Sequence, residues 1–502
     1  MKRLFPLLLT PLLIFLSFRT ILFHHEVPPL GFLAWLGLIP LLVSLKEASI
    51  KEVFQKTFLS AFLFYGGTFY WIYNALHTFG HLSPVASFGT LIVMITAMTL
   101  YLAGAAALAQ FLSRKMGFSF YMLLPWAWVV QDYCLNYFPV GGFSWGALAY
   151  TQGAALPLIQ IADLGGPYLL TFVIVFFNAS LARFFMKEEG RGRQLAFAIL
   201  LVVATTGYGF YRISSWRPTN SSLKVALLQG NIPQDEKWQA GRAPFIEETY
   251  AEMMQAIPEA DLAIWPEASY PYLLSLPLEK FPTKPEIFRF ETLLGSVTQR
   301  GRERNTVNNS ALLVRKGGEV GGIYHKVHLV PFGEYVPYSK FLFFLHKVVP
   351  EVGDFEGGKE IHPLSFEKGK LGLLVCYEDL FPEIARQATA QGADLLINIS
   401  NDAWYGWTSA PIQHLELSRF RAVENRRSLV RATNTGSTAI IDPVGRMREA
   451  PLFQRLILQG EVALGGRTSF YTRFGDLFAW LAIFVVVGLI VAPKKRKRGI
   501  HD

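Results

Sequence analysis

A chain of 502 residues would ordinarily make two or three soluble domains, but 51% hydrophobic residues, 17% charged residues and a mean hydropathy of +0.29 point instead to a membrane protein. The net charge of +9 does not mark a nucleic-acid binder, because residues 213 to 470 hold about 28 Lys and Arg against about 29 Asp and Glu and leave no basic groove for phosphates. The two cysteines, Cys134 and Cys376, fall in segments of quite different character and form no disulfide framework.

A bilayer core about 30 Å thick needs roughly 20 apolar residues of helix. Such stretches lie near 4–23, 28–45, 57–76, 86–112, 118–137, 164–186, 194–212 and 474–492, which predicts about eight transmembrane helices. The first carries Lys2 and Arg3 ahead of its apolar run, as a signal peptide would, but no small-x-small cleavage site follows, so it reads as an uncleaved anchor. Aromatic-rich "FLFYGGTFYWIY" from Phe62 reads as lipid-facing or interfacial packing.

Positive charge falls on one set of ends: Lys2 and Arg3, then Lys46, Lys51 and Lys56, Arg114 and Lys115, Lys187, Arg191 and Arg193, and the tail Lys494 to Arg498. Loops 24–27, 77–85 and 138–163 contain neither Lys nor Arg. Because positive segments resist translocation, both termini are expected to be cytoplasmic and residues 213–473 extracytoplasmic. Arg19 is expected to snorkel from the outer end of the first helix. A transporter or silent scaffold would place ionisable groups along a path through the bilayer. The predicted spans hold little beyond Arg19, Asp132, Arg183, Arg212 and Asp476, all towards helix ends.

Within 213–473, apolar runs predict strands at "KVALLQGN" from Lys224, "DLAIWPE" ending at Glu267, "SALLVRKG" from Ser310, "KLGLLVCYED" around Cys376 and "ADLLINISND" from Ala393. "RSLVRATNTG" from Arg427, "STAIIDPVGR" from Ser437 and "RLILQGEVAL" from Arg455 continue the series. Helical patterns fall near 244–257, 285–300, 382–391 and 411–426. Strands alternating with helices predict an α/β domain, a sheet layered with helices.

Strand ends display reactive groups, since the strand holds the backbone while the following loop stays open. Glu267 follows "LAIW" and Pro266, and Cys376 ends "LGLLV" ahead of a helix opening near Phe381 and Pro382. A thiol near a helix N-terminus and a cation is expected to have a lowered pKa, although Glu378 and Asp379 oppose this. The cation is Lys326, in the loop-like stretch "YHKVHLVPFGEYVP". Taken singly, Glu267 and Lys326 are also what ordinary solvated charges look like, and Cys376 what a buried inert cysteine looks like. His325 and His328 suggest a metal pair, but no third ligand stands at a recognisable spacing. No metal or cofactor is expected.

Taken together, "WPE" after a strand, Lys326 in "HKVHLVPFGEYVP" and "CYED" after a strand resemble the Glu-Lys-Cys triad of the nitrilase superfamily. With eight predicted spans, "NISNDAWYG" from Asn398 and "RATNTG" from Arg431, the whole chain resembles the membrane-embedded branch, the apolipoprotein N-acyltransferases. The resemblance implies an αββα sandwich, a phospholipid acyl donor and a diacylglyceryl-cysteine lipoprotein as acceptor, in a bacterial inner membrane with the catalytic domain periplasmic. It assigns catalysis to Glu267, Lys326 and Cys376 through an acyl-thioester in a ping-pong sequence, and supporting weight to Trp238, Glu334, Tyr377, Glu378 and Asn309. The implied division is 1–212 for helices one to seven, 213–473 for the catalytic domain, and 474–502 for the last helix with its basic tail.

Topology favours the same donor. An extracytoplasmic site lacks ATP and acyl-CoA, so an already activated acyl group must come from membrane lipid. The uncharged stretch from Phe138, with Phe143 and Trp145, is expected to line the lipid path. A membrane-tethered amidase, in which water rather than an amine resolves the thioester, is the nearest alternative.

Overall fold

The computed structural model describes residues 4–138, 140–237, 239, 241–300, 306–338 and 355–494. Each of the eight apolar stretches contains helix, but the helices are unequal. Pro84–Met116, Ala162–Phe185 and Arg191–Ser215 are long and apolar enough to cross a bilayer. Phe5–Ser17 and Leu477–Val491 are shorter, and at 1.5 Å per residue each falls short of a bilayer core of about 30 Å. The second stretch divides into a 3-10 turn, Gly31–Trp35, and a six-residue helix, Ile39–Ser44. Ile50–Thr68 opens with a capping box, Ser49 accepting from the Glu52 N–H while Glu52 accepts from the Ser49 N–H. Ala162–Phe185 bends at Gly165 and Gly166, the latter with φ +62°. A Cβ on Gly166 would lie 2.8 Å from the Tyr471 ring, so glycine serves both the turn and the close contact.

The second half contains two sheets. One runs in the order Met447–Glu449, Ala439–Ile441, Ser428–Thr433, Leu395–Ser400, Gly369–Val375, Leu364–Phe366. The other runs Leu456–Ala463, Ser222–Gln229, Leu262–Ile264, Glu291–Arg300, Val307–Val314, Val320–His325, with Leu274–Leu276 also paired to Glu291–Arg300. Val225, Leu227, Ile264, Leu293 and Leu313 from one sheet interdigitate with Leu373, Val375, Ile397, Ile399 and Val430 from the other. Their burial in a shared apolar layer holds the sandwich together.

Helix Ala243–Ala256 covers the outer face of the seven-stranded sheet through Ile246, Tyr250, Met253 and Met254. Pro382–Ala390 and Ala410–Asn425 cover the other outer face, completing four layers. All of Ala410–Asn425 is buried, because its far side packs on the membrane helices in one continuous core that includes Leu170, Ile174, Leu415, Phe420 and Leu429. The two halves are therefore joined by apolar packing.

Two readings change. Residues 285–300 do not form a helix: Glu291–Arg300 is a strand whose middle is buried on both faces, so its apolar run lacks the alternation that marks a one-sided strand. Arg19 does not snorkel but pairs with Glu26 at 2.6 Å, Glu449 at 3.1 Å and Glu416 at 3.3 Å, fastening the first helix to the sandwich.

Candidate active site

Strand ends from both sheets meet at one place. Cys376 directly follows Gly369–Val375 and takes φ +54°, a left-handed conformation uncommon for a residue with a Cβ. From the facing sheet, Glu267 lies just beyond Leu262–Ile264, Lys326 directly beyond Val320–His325, and Asn309 within Val307–Val314. The Glu267 turn presses against the next strand at Gly295, where a Cβ would stand 2.6 Å from the Glu267 Cα. The Lys326 N–H donates to the Asn309 carbonyl at 2.8 Å, continuing the ladder by which Ser310 faces His325.

Charge is concentrated and dry. Lys326 is 1% exposed, with its Nζ 2.9 Å from Glu334 Oε2 and 3.7 Å from Glu267 Oε1. Asn309 Nδ2 donates to Glu267 Oε1 at 2.7 Å and to Glu334 Oε1 at 2.8 Å, tying the two carboxylates together. Burial opposes the charge on Lys326, but Glu334 and Glu267 outweigh it and its pKa is raised. The thiol differs from the expectation: burial, with the charge of Glu267, pushes Cys376 well above the ordinary cysteine value, and Lys326 only partly offsets this. No long helix opens at the sulfur; Cys376–Leu380 is a 3-10 turn and the helix begins at Pro382.

The three residues after Cys376 each anchor the turn in a different direction. Tyr377 Oη donates to the Gly142 carbonyl of the membrane half at 2.7 Å. Glu378 accepts from the Val375 N–H at 2.7 Å, the Val327 N–H at 2.7 Å, the His328 N–H at 3.1 Å and Tyr324 Oη at 3.1 Å. It thereby fixes the loop carrying Lys326 to the turn carrying Cys376. Burial pushes Glu378 up to about 7 against these donors. Asp379 turns inward to His414, Ser418 and Arg431.

Phe143 stacks near Tyr377 at 6.5 Å between ring centroids and near Trp145 at 5.8 Å, and Trp71 lies 4.9 Å from both Trp145 and Tyr405. Trp145 is 1% exposed and donates to Gln413 Oε1, so it supports this aromatic wall from behind while Phe143 is half-buried. Trp238 lies outside the described residues. His325 meets the Ser310 hydroxyl at 2.8 Å and His328 stacks on Phe381 at 3.7 Å; burial lowers each to about 4, and the two rings serve separate packing roles.

One buried lysine was not legible in the sequence. Lys237 Nζ donates to the Glu267 carbonyl at 3.1 Å, and burial lowers its pKa to about 8 against the pull of Glu267 and Cys376. In "PQDEKWQ" it resembles any solvated charge, and no periodic pattern marks it.

The carbon-nitrogen hydrolase family matches residues 224–470, and the apolipoprotein N-acyltransferase N-terminal domain matches residues 12–180. An apolipoprotein N-acyltransferase of Geobacter metallireducens is 39% identical over 94% of this chain and 93% of its own length. Proteins of the same name from Chlorobaculum tepidum and Pseudomonas putida are 29% and 33% identical, over 99% and 86% of this chain and 97% and 86% of theirs. A crystal structure of Saccharomyces cerevisiae Nit3, a member of branch 10 of the nitrilase superfamily, is 22% identical, covers 48% of this chain and 90% of its own, and has a TM-score of 0.36. The chain belongs to the apolipoprotein N-acyltransferase family.

Proposed function

We propose that this protein transfers an acyl chain from a phospholipid, through a thioester on Cys376, to the N-terminal α-amine of a diacylglyceryl-cysteine lipoprotein. The observation that carries the reading is the convergence of Glu267 and Lys326 on the Cys376 turn, with Glu378 fastening the two strand ends together. Glu267 takes the Cys376 proton, the thiolate attacks the ester carbonyl, and Lys326 stabilises the tetrahedral oxyanion. The carbon–oxygen bond breaks, and protonated Glu267 returns its proton to the departing lysophospholipid oxygen. The free α-amine then attacks the thioester; Glu267 accepts its proton and passes it to the departing sulfur.

A raised thiol pKa suits this order, since the thiol stays protonated and hydrophobically buried until a lipid is in place. Among the described residues Asn309 Oδ1 has no partner, while its Nδ2 is fixed on two carboxylates, which leaves an acceptor for the incoming amine. Phe143, with Trp145 behind it, lines the path of the acyl chain. In this reading 1–212 form seven spans, 213–473 the periplasmic catalytic domain and 474–502 the last span and cytoplasmic tail, in a bacterial inner membrane.

The test is to incubate the purified chain with phospholipid and a diacylglyceryl-cysteine peptide. An amide-linked third acyl chain on the peptide is expected. Free fatty acid as the sole product, with the peptide unchanged, would make the protein a hydrolase and contradict the reading.

A further inference from the structure

Glu378 fastens the Cys376 turn through the N–H of Val375, ahead of the sulfur; the peptide that follows the sulfur is fastened by other residues. The φ of +54° at Cys376 is costly for a residue with a Cβ and persists only where neighbouring groups hold it. The last register pair of the parallel ladder is Val375 with Ile399, so the Cys376 carbonyl lies one residue past that ladder. A side chain takes it. Asn398, fully buried on the adjacent strand Leu395–Ser400, donates through Nδ2 to the Leu374 and Cys376 carbonyls, each at 3.2 Å.

Leu374, Asn398 and Arg431 are register partners across three adjacent parallel strands, which puts the amide between the turn and a guanidinium. Asn398 Oδ1 accepts from Arg431 Nη1. Arg431, itself fully buried, is held by Asp402 at 2.8 Å and by Asp379 at 3.0 Å. Asp379 lies on the Cys376–Leu380 turn, so the chain of contacts from the Cys376 carbonyl through Asn398 and Arg431 closes on the turn it started from.

The chemistry of its neighbours fixes the amide's orientation. A guanidinium only donates and a carbonyl only accepts, so Oδ1 must face Arg431 and Nδ2 the two carbonyls. A carboxylate or an aliphatic side chain of that size cannot meet both demands. The charged donor on Oδ1 also polarises the amide and strengthens its two N–H bonds.

We propose that Asn398 is a positioning residue of the transfer reaction, a clamp on the backbone of Cys376 that holds the left-handed turn and so aims the sulfur at the acyl carbonyl. The inference rests on Cys376 as the nucleophile. The Leu374–Val375 peptide is held at both edges, its N–H by Glu378 and its carbonyl by Asn398, and the Cys376–Tyr377 peptide by the same Asn398 nitrogen. Two fixed planar units bracketing Cys376 leave its backbone torsions little freedom. Asn398 heads "NISNDAWYG" and Arg431 heads "RATNTG", segments without a part in the chemistry of Glu267, Lys326 and Cys376; the ladder register gives them one.

The test is single-turnover acylation of the full-length protein by phospholipid without acceptor, in the parent and in Asn398→Asp. The substitution keeps the size and the Arg431 contact but turns an acceptor towards the two carbonyls. The rate constant at saturating lipid is expected to fall about 100-fold, as a displacement of the nucleophile by about 1 Å would produce, with the half-saturating lipid concentration within about twofold of the parent. A merely damaged fold lowers the fraction of chains acylated without slowing those that react. A parent-like rate constant therefore overturns the proposal, whatever the amplitude or the lipid dependence.

A crystal structure of the parent acylated on Cys376 needs no Asn398 variant. It is expected to keep the left-handed turn with Asn398 Nδ2 on the Cys376 carbonyl, and an acyl-enzyme in which that bond is broken overturns the proposal even where Asn398→Asp fails to fold. Absence of acylation at Cys376 in the parent would fault the nucleophile, whereas acylation of Asn398→Asp at the parent rate would fault Asn398 alone.

Discussion

Lys326 is paired more closely with Glu334, at 2.9 Å, than with Glu267, at 3.7 Å. In the proposed mechanism this arrangement leaves Glu267 free to move a proton, because a second carboxylate carries the closer pairing with the ammonium. Glu334→Gln should therefore shift Lys326 onto Glu267 and occupy the base. Breaking one partner of a buried pair costs about 3 kcal/mol, so acylation of Cys376 is expected to fall roughly 100-fold. Single-turnover acylation checks this, and a variant within twofold of the parent would show that Glu334 is a bystander.

Glu378 accepts only N–H and O–H donors, with Val375 on one oxygen and Val327 and His328 on the other. In Glu378→Gln the amide nitrogen must face one of those backbone N–H groups. The expected cost is about 1–3 kcal/mol of stability, and displacement of the Lys326 loop should slow transfer roughly 10- to 100-fold. Thermal unfolding and transfer measured together decide it; a parent-like melting curve with parent-like rate contradicts the role.

Burial lowers Lys237 to about 8, so its charge beside Glu267 and Cys376 is present below that pH and lost above it. The rate of Cys376 acylation is expected to decline as pH rises through about 8. Lys237→Arg keeps its charge and should remove that decline; an unshifted limb in the variant would assign it elsewhere. The sign for stability is the reverse. Between about 8 and 10.5 the unfolded chain binds the extra proton, so this group's contribution to stability rises with pH across that window.

Arg426 seats the sandwich on the membrane half. Its guanidinium meets Asp163 Oδ2 at 2.6 Å and Gln160 Oε1 at 2.6 Å, and Arg212 and Tyr208 complete the ring around Asp163 at 3.0 and 2.7 Å. Arg426→Ala is expected to cost about 3–5 kcal/mol, read as a lower unfolding midpoint, with Arg426→Lys recovering part of the loss. An unchanged midpoint would mean that apolar packing alone holds the halves together.

The strand-end positions of Glu267 and Cys376 were legible because each follows an apolar run, and strand ends are where a sheet exposes side chains; Lys326, expected in a loop, stands directly beyond the strand Val320–His325, which was not anticipated. Cys376 is the clearest case, since "LGLLV" predicts the strand that places it. Lys237 was not legible: only the fold buries it, against a turn thirty residues further on. Arg19 is an awkward charge in an apolar helix until Glu416 and Glu449, about four hundred residues away, are brought to it. The strand Glu291–Arg300 was misread because a run buried on both faces carries no period to distinguish it from helix. The lowered thiol pKa expected from a cation and a helix end failed because burial and Glu267 outweigh Lys326, and no long helix opens at the sulfur.

The most direct test of the central claim is the covalent intermediate. Purified protein incubated with phospholipid in the absence of acceptor should carry one acyl group on the peptide containing Cys376, seen by mass spectrometry and removed by hydroxylamine. Cys376→Ser should lose the thioester and Cys134→Ser should keep it. An adduct on another residue, or none, would contradict the account.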